Sequence, residues 1–144
     1  NAEPLIYGDG NQTMDFVYVE DVARATILAL KSEVTNEVIN IGSGKETSLK
    51  ELCGLLIGAM GGKVRPKFVP ILEERKKVEV LRRCADISKA AMMIGLRPEV
   101  PLVEGLKKLA QWLKDQEENI RPAEIVSILI LLSVNFFCFL NTLF

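Results

Sequence analysis

The chain has 144 residues, with 18 lysine or arginine residues against 19 aspartate or glutamate residues and a net charge of -1. This length favours a single domain. Without the basic patch that nucleic-acid binding requires, we predict no nucleic-acid partner. The sequence contains no histidine, which removes the commonest general base and metal ligand. Its three cysteines have no C-x-x-C spacing, so they predict neither a zinc site nor a disulfide framework and favour a reducing, cytoplasmic compartment.

The first predicted elements are a hairpin and a helix. Leu5–Tyr7 is a short apolar run followed by Gly8-Asp9-Gly10, a turn signal because Asp-Gly tolerates positive φ. Phe16–Val19 is rich in β-branched and aromatic residues and predicts the second strand of the hairpin. Asp21 is expected to be the N-cap of a helix that extends to about Ser32.

The middle of the chain predicts a strand, a capped helix and a further strand. Val38–Ile41 is a short apolar strand candidate. The S-x-x-E pattern of Ser48–Glu51 is a capping box, and Gly61-Gly62 is expected to close the helix that it starts. A strand between Val64 and Val69 is expected at a sheet edge, because Pro66 cannot donate a ladder hydrogen bond.

The next part of the chain predicts two helices after a charged segment. Residues 73–83 favour a solvated loop with a short strand. Asp86 is expected to cap a helix over Ile87–Ile94 that ends at Gly95. Pro101 suits the first turn of a final amphipathic helix. Its apolar positions are Leu102, Leu106, Leu109 and Leu113. The order strand, strand, helix, strand, helix, strand, helix, helix indicates an α/β or α+β fold.

Two glycine-rich turns resemble phosphate-binding loops and fail the comparison. Gly8-x-Gly10-x-x-Thr13 has threonine at the third position of the dinucleotide fingerprint and leads into a predicted strand, where a helix is required. Gly42-Ser43-Gly44-Lys45 lacks the first glycine of a P-loop, since Ile39 stands there, and Glu46 follows its lysine. Both predict turns, and no cofactor-binding or metal-binding residue is assigned.

Three ordered blocks resemble the NAD-dependent nucleotide-sugar epimerases and dehydratases of the extended short-chain dehydrogenase/reductase family. They are residues 4–23, Glu37–Leu52 and Arg82–Leu106. The resemblance implies a mixed α/β fragment in which residues 1–118 form the C-terminal, substrate-binding part and the Rossmann half is missing. The chain looks most like UDP-glucose 4-epimerases. For the complete enzyme this implies NAD as cofactor, a UDP-sugar ligand and a homodimer.

The resemblance also implies a catalytic chemistry, but this chemistry cannot be assigned to any residue of this chain. In the family, the tyrosine of a Y-x-x-x-K pair takes a sugar hydroxyl proton while NAD takes the hydride, and the lysine lowers the tyrosine pKa. Here Asn11 stands four residues after Tyr7, and Val22 stands four residues after Tyr18. We therefore assign no catalytic residue and expect the chain alone to lack epimerase activity.

Five residues are implied to contact the sugar nucleotide. The family commonly carries an arginine where Met14 stands, because a guanidinium pairs with the substrate diphosphate through two hydrogen bonds. A second family arginine would fall at Lys76, with Arg75 beside it. Tyr7 and Gln12 are expected to line the nucleotide pocket. Packing is the competing interpretation for Tyr7 and Met14, and solvation is the competing interpretation for Lys76.

The apolar tail, residues 119–144, lies outside the resemblance. Its part from Ile125 to Phe144 carries no charge and is long enough to cross a bilayer as a helix. A membrane span, a non-native extension and a helix that covers exposed apolar surface are the open interpretations. Correspondingly, a membrane-anchored relic without enzyme activity and a subunit completed by a separate Rossmann-domain chain are alternatives to the epimerase part.

Overall fold

The computed structural model describes residues 3–73 and 80–116, over which short strands and helices alternate. The strands are β1 (Leu5–Tyr7), β2 (Thr13–Asp15), β3 (Glu46–Ser48) and β4 (Lys67–Val69). The helices are α1 (Val19–Lys31), α2 (Leu49–Ala59), α3 (Ser88–Ile94) and α4 (Leu102–Gln116). The chain order β1, β2, α1, β3, α2, β4, α3, α4 is the predicted one and confirms the mixed α/β class.

The strands form two separate ladders, so the predicted opening hairpin is wrong. β1 pairs with β4 in parallel, and β2 pairs with β3 in antiparallel orientation. The turn between β1 and β2 does have the predicted glycine conformations, with φ of +81° at Gly8 and +71° at Gly10. After that turn, the carbonyls of Gly10 and Gln12 accept hydrogen bonds from the first N–H groups of α2. The chain is therefore drawn toward α2 and β3 instead of folding back on β1.

Two of the predicted strands do not form at the predicted residues, and neighbouring residues form strands instead. Residues 16–18 connect β2 to α1 without ladder pairing, because the Asp15 carboxylate binds the turn that precedes β3 and the ladder ends there. Residues 38–41 also form no strand, although Ile39 and Ile41 pack against the core. The polar run Glu46–Ser48 forms the strand instead, because β2 lies beside it.

The helix ends agree with the predicted ones to within a few residues, but two caps differ. α1 begins at Val19, so Asp21 lies in its first turn and is not its N-cap. Asp86 accepts a hydrogen bond from the Ser88 N–H at 2.9 Å, which supports the start of α3 one residue later than predicted. Ser48 caps α2 as predicted, since its hydroxyl accepts from the Glu51 N–H at 3.3 Å.

The apolar core lies where α1 and α3 meet. Its buried members are Ala25, Ala90, Ile94 and Leu96. α4 packs against α2 and buries Leu106 and Ala110. β4 begins after Pro66 and pairs with β1 alone among the described strands, which places it at a sheet edge as predicted.

Within the described ranges, no helix is long and apolar enough to cross a membrane. The apolar stretch 125–144 lies outside these ranges, and so does the predicted boundary between residues 118 and 119. Both stay predictions.

Candidate functional site

β2 is the centre of the candidate site because it has a neighbour on each side. β3 lies along one side. On the other side, the Thr13 N–H donates to the Leu81 carbonyl at 2.9 Å, and the Arg83 N–H donates to the Thr13 carbonyl at 3.0 Å. This bridge is parallel and aligns Thr13 with Arg82. Residues 81–83 therefore add a third extended run beside β2, within the segment that was predicted to contain a loop and a short strand.

Tyr7 and Gln12, two of the predicted binding residues, lie together at the base of β2. Gln12 is 7% exposed, and its side-chain N–H donates to the Tyr7 carbonyl oxygen at 3.0 Å. The Gln12 carbonyl accepts from the Leu49 N–H at 3.1 Å. Gln12 thus joins the end of β1 to the start of α2, which is a structural role. Contact of Tyr7 or Gln12 with a ligand stays a prediction.

Met14, the third predicted binding residue, lies at the middle of β2. It is half-buried and stands opposite Thr47 of β3. Its thioether carries no charge and offers only a weak acceptor, so Met14 itself cannot pair with a phosphate. Arg75 and Lys76 lie outside the described residues, and their contact with the substrate diphosphate stays a prediction.

A polar cluster on one face of β2 escaped the sequence analysis. The Thr13 hydroxyl donates to Glu46 at 2.7 Å, and Arg82 donates to the same carboxylate through Nε at 2.9 Å and through a terminal N–H at 2.5 Å. These hydrogen bonds from Arg82 and Thr13 lower the pKa of Glu46 from its ordinary 4.5 to about 2. Glu46 therefore holds residues 81–83 beside β2 as an ionised carboxylate.

Asp15 forms a second polar junction on the same strand. Its carboxylate accepts from the Ser43 N–H at 2.8 Å, the Ser43 hydroxyl at 2.5 Å, the Gly44 N–H at 2.9 Å and the Ala85 N–H at 3.3 Å. A Cβ on Gly42 would lie 2.5 Å from an Asp15 oxygen and 2.7 Å from the Ala85 Cβ, so only glycine fits this approach. Asp15 thereby joins three chain segments at one point.

The glycine-rich turns do not fit a dinucleotide. The N–H groups of Ser43 and Gly44 bind the Asp15 carboxylate, and these are the donors that a phosphate would need. The Gly8–Gly10 turn leads into β2, whereas the dinucleotide fingerprint requires a helix N-terminus at that point. The prediction of a turn is confirmed for residues 8–10, residues 42–45 form an irregular loop, and no step of cofactor chemistry is assigned to either segment.

Asp21 is the most deeply buried carboxylate among the described residues. It is 2% exposed and accepts from the Glu99 N–H at 3.1 Å, from the Val100 N–H at 3.0 Å and from Arg24 at 2.5 Å. Burial by itself would raise the pKa of Asp21, but the hydrogen bonds from Val100, Arg24 and Glu99 outweigh it and lower the pKa. Asp21 thus fixes the loop between α3 and α4 to the first turn of α1.

Tyr18 contacts a lysine through its ring. The Lys108 ammonium lies 5.2 Å from the ring centroid and donates to Glu20 at 3.1 Å. A Cβ on Gly105 would lie 2.9 Å from the ring, so Tyr18 packs closely on α4. These contacts position α4 against the start of α1. Among the described residues, no three groups are placed to hold a metal ion.

The residues that sequence reasoning missed are polar side chains in short strands. They are Thr13, Asp15, Glu46 and Arg82. One signal was available: polar residues alternate with Met14 along β2, which is the period of a strand with two different faces. The strands were predicted from runs of apolar residues, and a strand made mostly of polar residues contains no such run.

Comparison with known proteins identifies the family. Residues 1–42 match the model of the NAD dependent epimerase/dehydratase family. A putative UDP-glucose 4-epimerase from Methanocaldococcus jannaschii is 44% identical over 119 residues, which are 83% of this chain and 37% of that protein. Over these residues the chain is similar to the NAD-dependent epimerase/dehydratase family. The resemblance inferred from three sequence blocks is thereby confirmed.

Solved structures of this epimerase/dehydratase family share the fold. A crystal structure of a UDP-glucose 4-epimerase from Thermotoga maritima with UDP-glucose matches with a TM-score of 0.72 and 36% identity, over 80% of this chain and 36% of that one. A UDP-glucuronic acid 4-epimerase from Bacillus cereus in complex with NAD matches with a TM-score of 0.65 and 32% identity, over 78% of this chain and 34% of that one. The chain therefore spans little more than a third of the length of these relatives.

Proposed function

We propose that residues 1–118 are the C-terminal, nucleotide-sugar-binding part of an NAD-dependent epimerase. The proposed reaction of the complete enzyme is 4-epimerisation of a UDP-hexose. One observation carries this proposal, namely the match over 80% of the chain to a UDP-glucose 4-epimerase structure that contains UDP-glucose. The turn between β1 and β2, and β2 itself, lie within residues 1–42, which match the family model. Tyr7, Gln12 and Met14 are proposed to face the sugar nucleotide there, with Arg75 and Lys76 as further ligands.

The proposal assigns NAD to the part of the complete enzyme that this chain does not span. The relative from Bacillus cereus contains NAD, and the glycine-rich turns of this chain do not fit a dinucleotide. Bound NAD would supply a reversible hydride acceptor, and the residues of this chain would hold and orient the sugar nucleotide. A homodimeric enzyme in the cytoplasm, with residues 119–144 as an appended apolar tail, completes the proposal.

Titration calorimetry of the purified chain tests the binding function. We expect UDP and UDP-glucose to bind and ADP to bind at least ~10-fold more weakly, since a pocket that hydrogen-bonds uracil leaves polar groups unpaired with adenine. With added NAD, the chain should form no UDP-galactose from UDP-glucose. Equal binding of ADP and UDP would contradict the proposal. Formation of UDP-galactose by the chain alone would contradict the assignment of the chemistry to the remainder of the enzyme.

A further inference from the structure

The side chains of β2 divide between two faces. Successive side chains of a strand point to opposite sides, so Thr13 and Asp15 share one face and Met14 lies on the other. The Thr13 face is occupied by internal contacts, because Glu46 and Asp15 both bind neighbouring segments there. The opposite face, here called the Met14 face, also carries Thr47, the ladder partner of Met14.

The register of residues 81–83 places Arg83 on the Met14 face. Thr13 is aligned with Arg82 in the parallel bridge, so the next pair in register is Met14 with Arg83. The contact of Arg82 with Glu46 confirms that Arg82 points to the Thr13 face. Cys84, two residues after Arg82 along the same extended run, falls on that face too. Arg83, between Arg82 and Cys84, therefore alternates to the side of Met14.

The two adjacent arginines differ in what they bind. Arg82 makes a two-pronged contact with Glu46. Arg83 is exposed, and its guanidinium makes no hydrogen bond or ion pair within the described part of the chain. A guanidinium carries five N–H donors in a planar fork that matches the oxygens of a phosphate. Arg83 thus presents an anion-binding group on the face where Met14 offers none.

We propose that Arg83 binds the diphosphate of the nucleotide sugar, in place of the arginine that the family commonly carries at the position of Met14. Neighbouring extended runs lie about 4.8 Å apart, so an arginine side chain on the adjacent run reaches the space above Met14. Arg83 would then supply the positive charge on the Met14 face that Met14 itself lacks. This inference rests on the proposed function, because it names a ligand-binding residue of the same site.

Titration calorimetry of the full chain with UDP-glucose and with uridine, which lacks phosphate, tests the assignment. We expect Arg83→Gln to weaken UDP-glucose binding about 10- to 100-fold, as loss of a charge-assisted contact with phosphate does, and to leave uridine binding unchanged. The matched control is Arg97→Gln, which makes the same charge change at an exposed arginine in the loop after α3 and should leave both affinities near the wild-type values. Met14→Arg in the Arg83→Gln background should restore most of the lost affinity.

The possible failures are distinguishable. Unchanged UDP-glucose binding by Arg83→Gln would overturn the role of Arg83 while leaving the proposed function intact. Equal losses in Arg83→Gln and Arg97→Gln, or an equal loss for uridine, would also overturn it, because the effect would then be general or structural. Failure of Met14→Arg to restore affinity would overturn the inference that Met14 and Arg83 lie on one face. A wild-type chain that binds neither UDP-glucose nor uridine would overturn the proposed function together with this inference.

Discussion

Asp21 and Asp15 both use a carboxylate to hold distant backbone segments, but they do so in two different environments. Asp21 is 2% exposed and lies in α1, the helix that contributes Ala25 to the apolar core. Asp15 is half-buried in a layer of three-residue strands whose contacts are mostly polar. A polar contact gains strength and becomes costlier to break as water is excluded. Truncation of Asp21 should therefore lower the free energy of unfolding strongly. The stability of the strand layer should depend more on the close fit of its side chains, on pH and on salt.

The largest expected effect is that of Asp21→Ala. The substitution leaves the part-buried N–H groups of Glu99 and Val100 without their acceptor and removes one of the two carboxylates that pair with Arg24. We expect a loss of about 3 kcal/mol in the free energy of unfolding, measured by urea denaturation at pH 7. Asp86→Ala is the matched control, because its exposed carboxylate accepts from a residue only two positions away. Equal losses in the two variants would contradict the distinction between a buried and an exposed aspartate.

Asp15→Ala should lower the free energy of unfolding less than Asp21→Ala does, even though the Asp15 carboxylate accepts from more donors. Water can replace part of the lost hydrogen bonding at a half-buried site.

The close packing at the Asp15 junction offers a sharper test. Gly42→Ala would place a methyl group 2.5 Å from an Asp15 oxygen and 2.7 Å from Ala85. We expect a loss of about 1 to 3 kcal/mol in the free energy of unfolding, as overpacking costs.

Gly54→Ala is the control for the Gly42 substitution. Gly54 lies within α2, and a Cβ added there meets no atom within 4 Å. Alanine has the higher helix propensity, so this variant should gain up to about 1 kcal/mol. Thermal and urea unfolding of the two variants should thus shift in opposite directions. Equal shifts would mean that the close approach at Asp15 does not limit the residue at position 42.

The same two regions show what the sequence could and could not predict. All four helices of the described residues were expected, because apolar spacing, the Ser48 cap and the closing glycines at 61 and 95 are local signals. Two of the strands were placed wrongly. Residues 16–19 and 38–41 have the apolar, β-branched composition of strands, but a strand needs a partner, and the partners of β2 are Glu46–Ser48 and residues 81–83.

The candidate site repeats this limit. Tyr7, Gln12 and Met14 could be selected from the family segment, and the structure places Gln12 against Tyr7. The bonds from Thr13 to Glu46 and from Arg82 to Glu46 join residues 33 and 36 positions apart, so no local pattern announces them. Arg83 could be separated from Arg82 only through the register of residues 81–83 beside β2, because two adjacent arginines look equivalent in a sequence.

The smallest expected effect is a change in pH dependence at Glu46. Arg82 and Thr13 hold the folded-state pKa of this carboxyl at about 2, below its ordinary 4.5. A lowered folded-state pKa stabilises the fold fully above about pH 4.5, and that contribution is lost as the pH falls toward 2. Glu46→Gln should therefore be less stable than wild type at pH 7, and the difference in stability should narrow in urea titrations at pH 5, 4 and 3.

Because the side chain of Arg82 is 79% exposed, added salt should also narrow the difference in stability between Glu46→Gln and wild type. Glu37→Gln breaks the exposed pair with Lys89 and should barely change stability. A Glu46→Gln difference that stayed constant from pH 7 to pH 3 would mean that the hydroxyl of Thr13, and not the charge of Arg82, holds Glu46 in the strand layer.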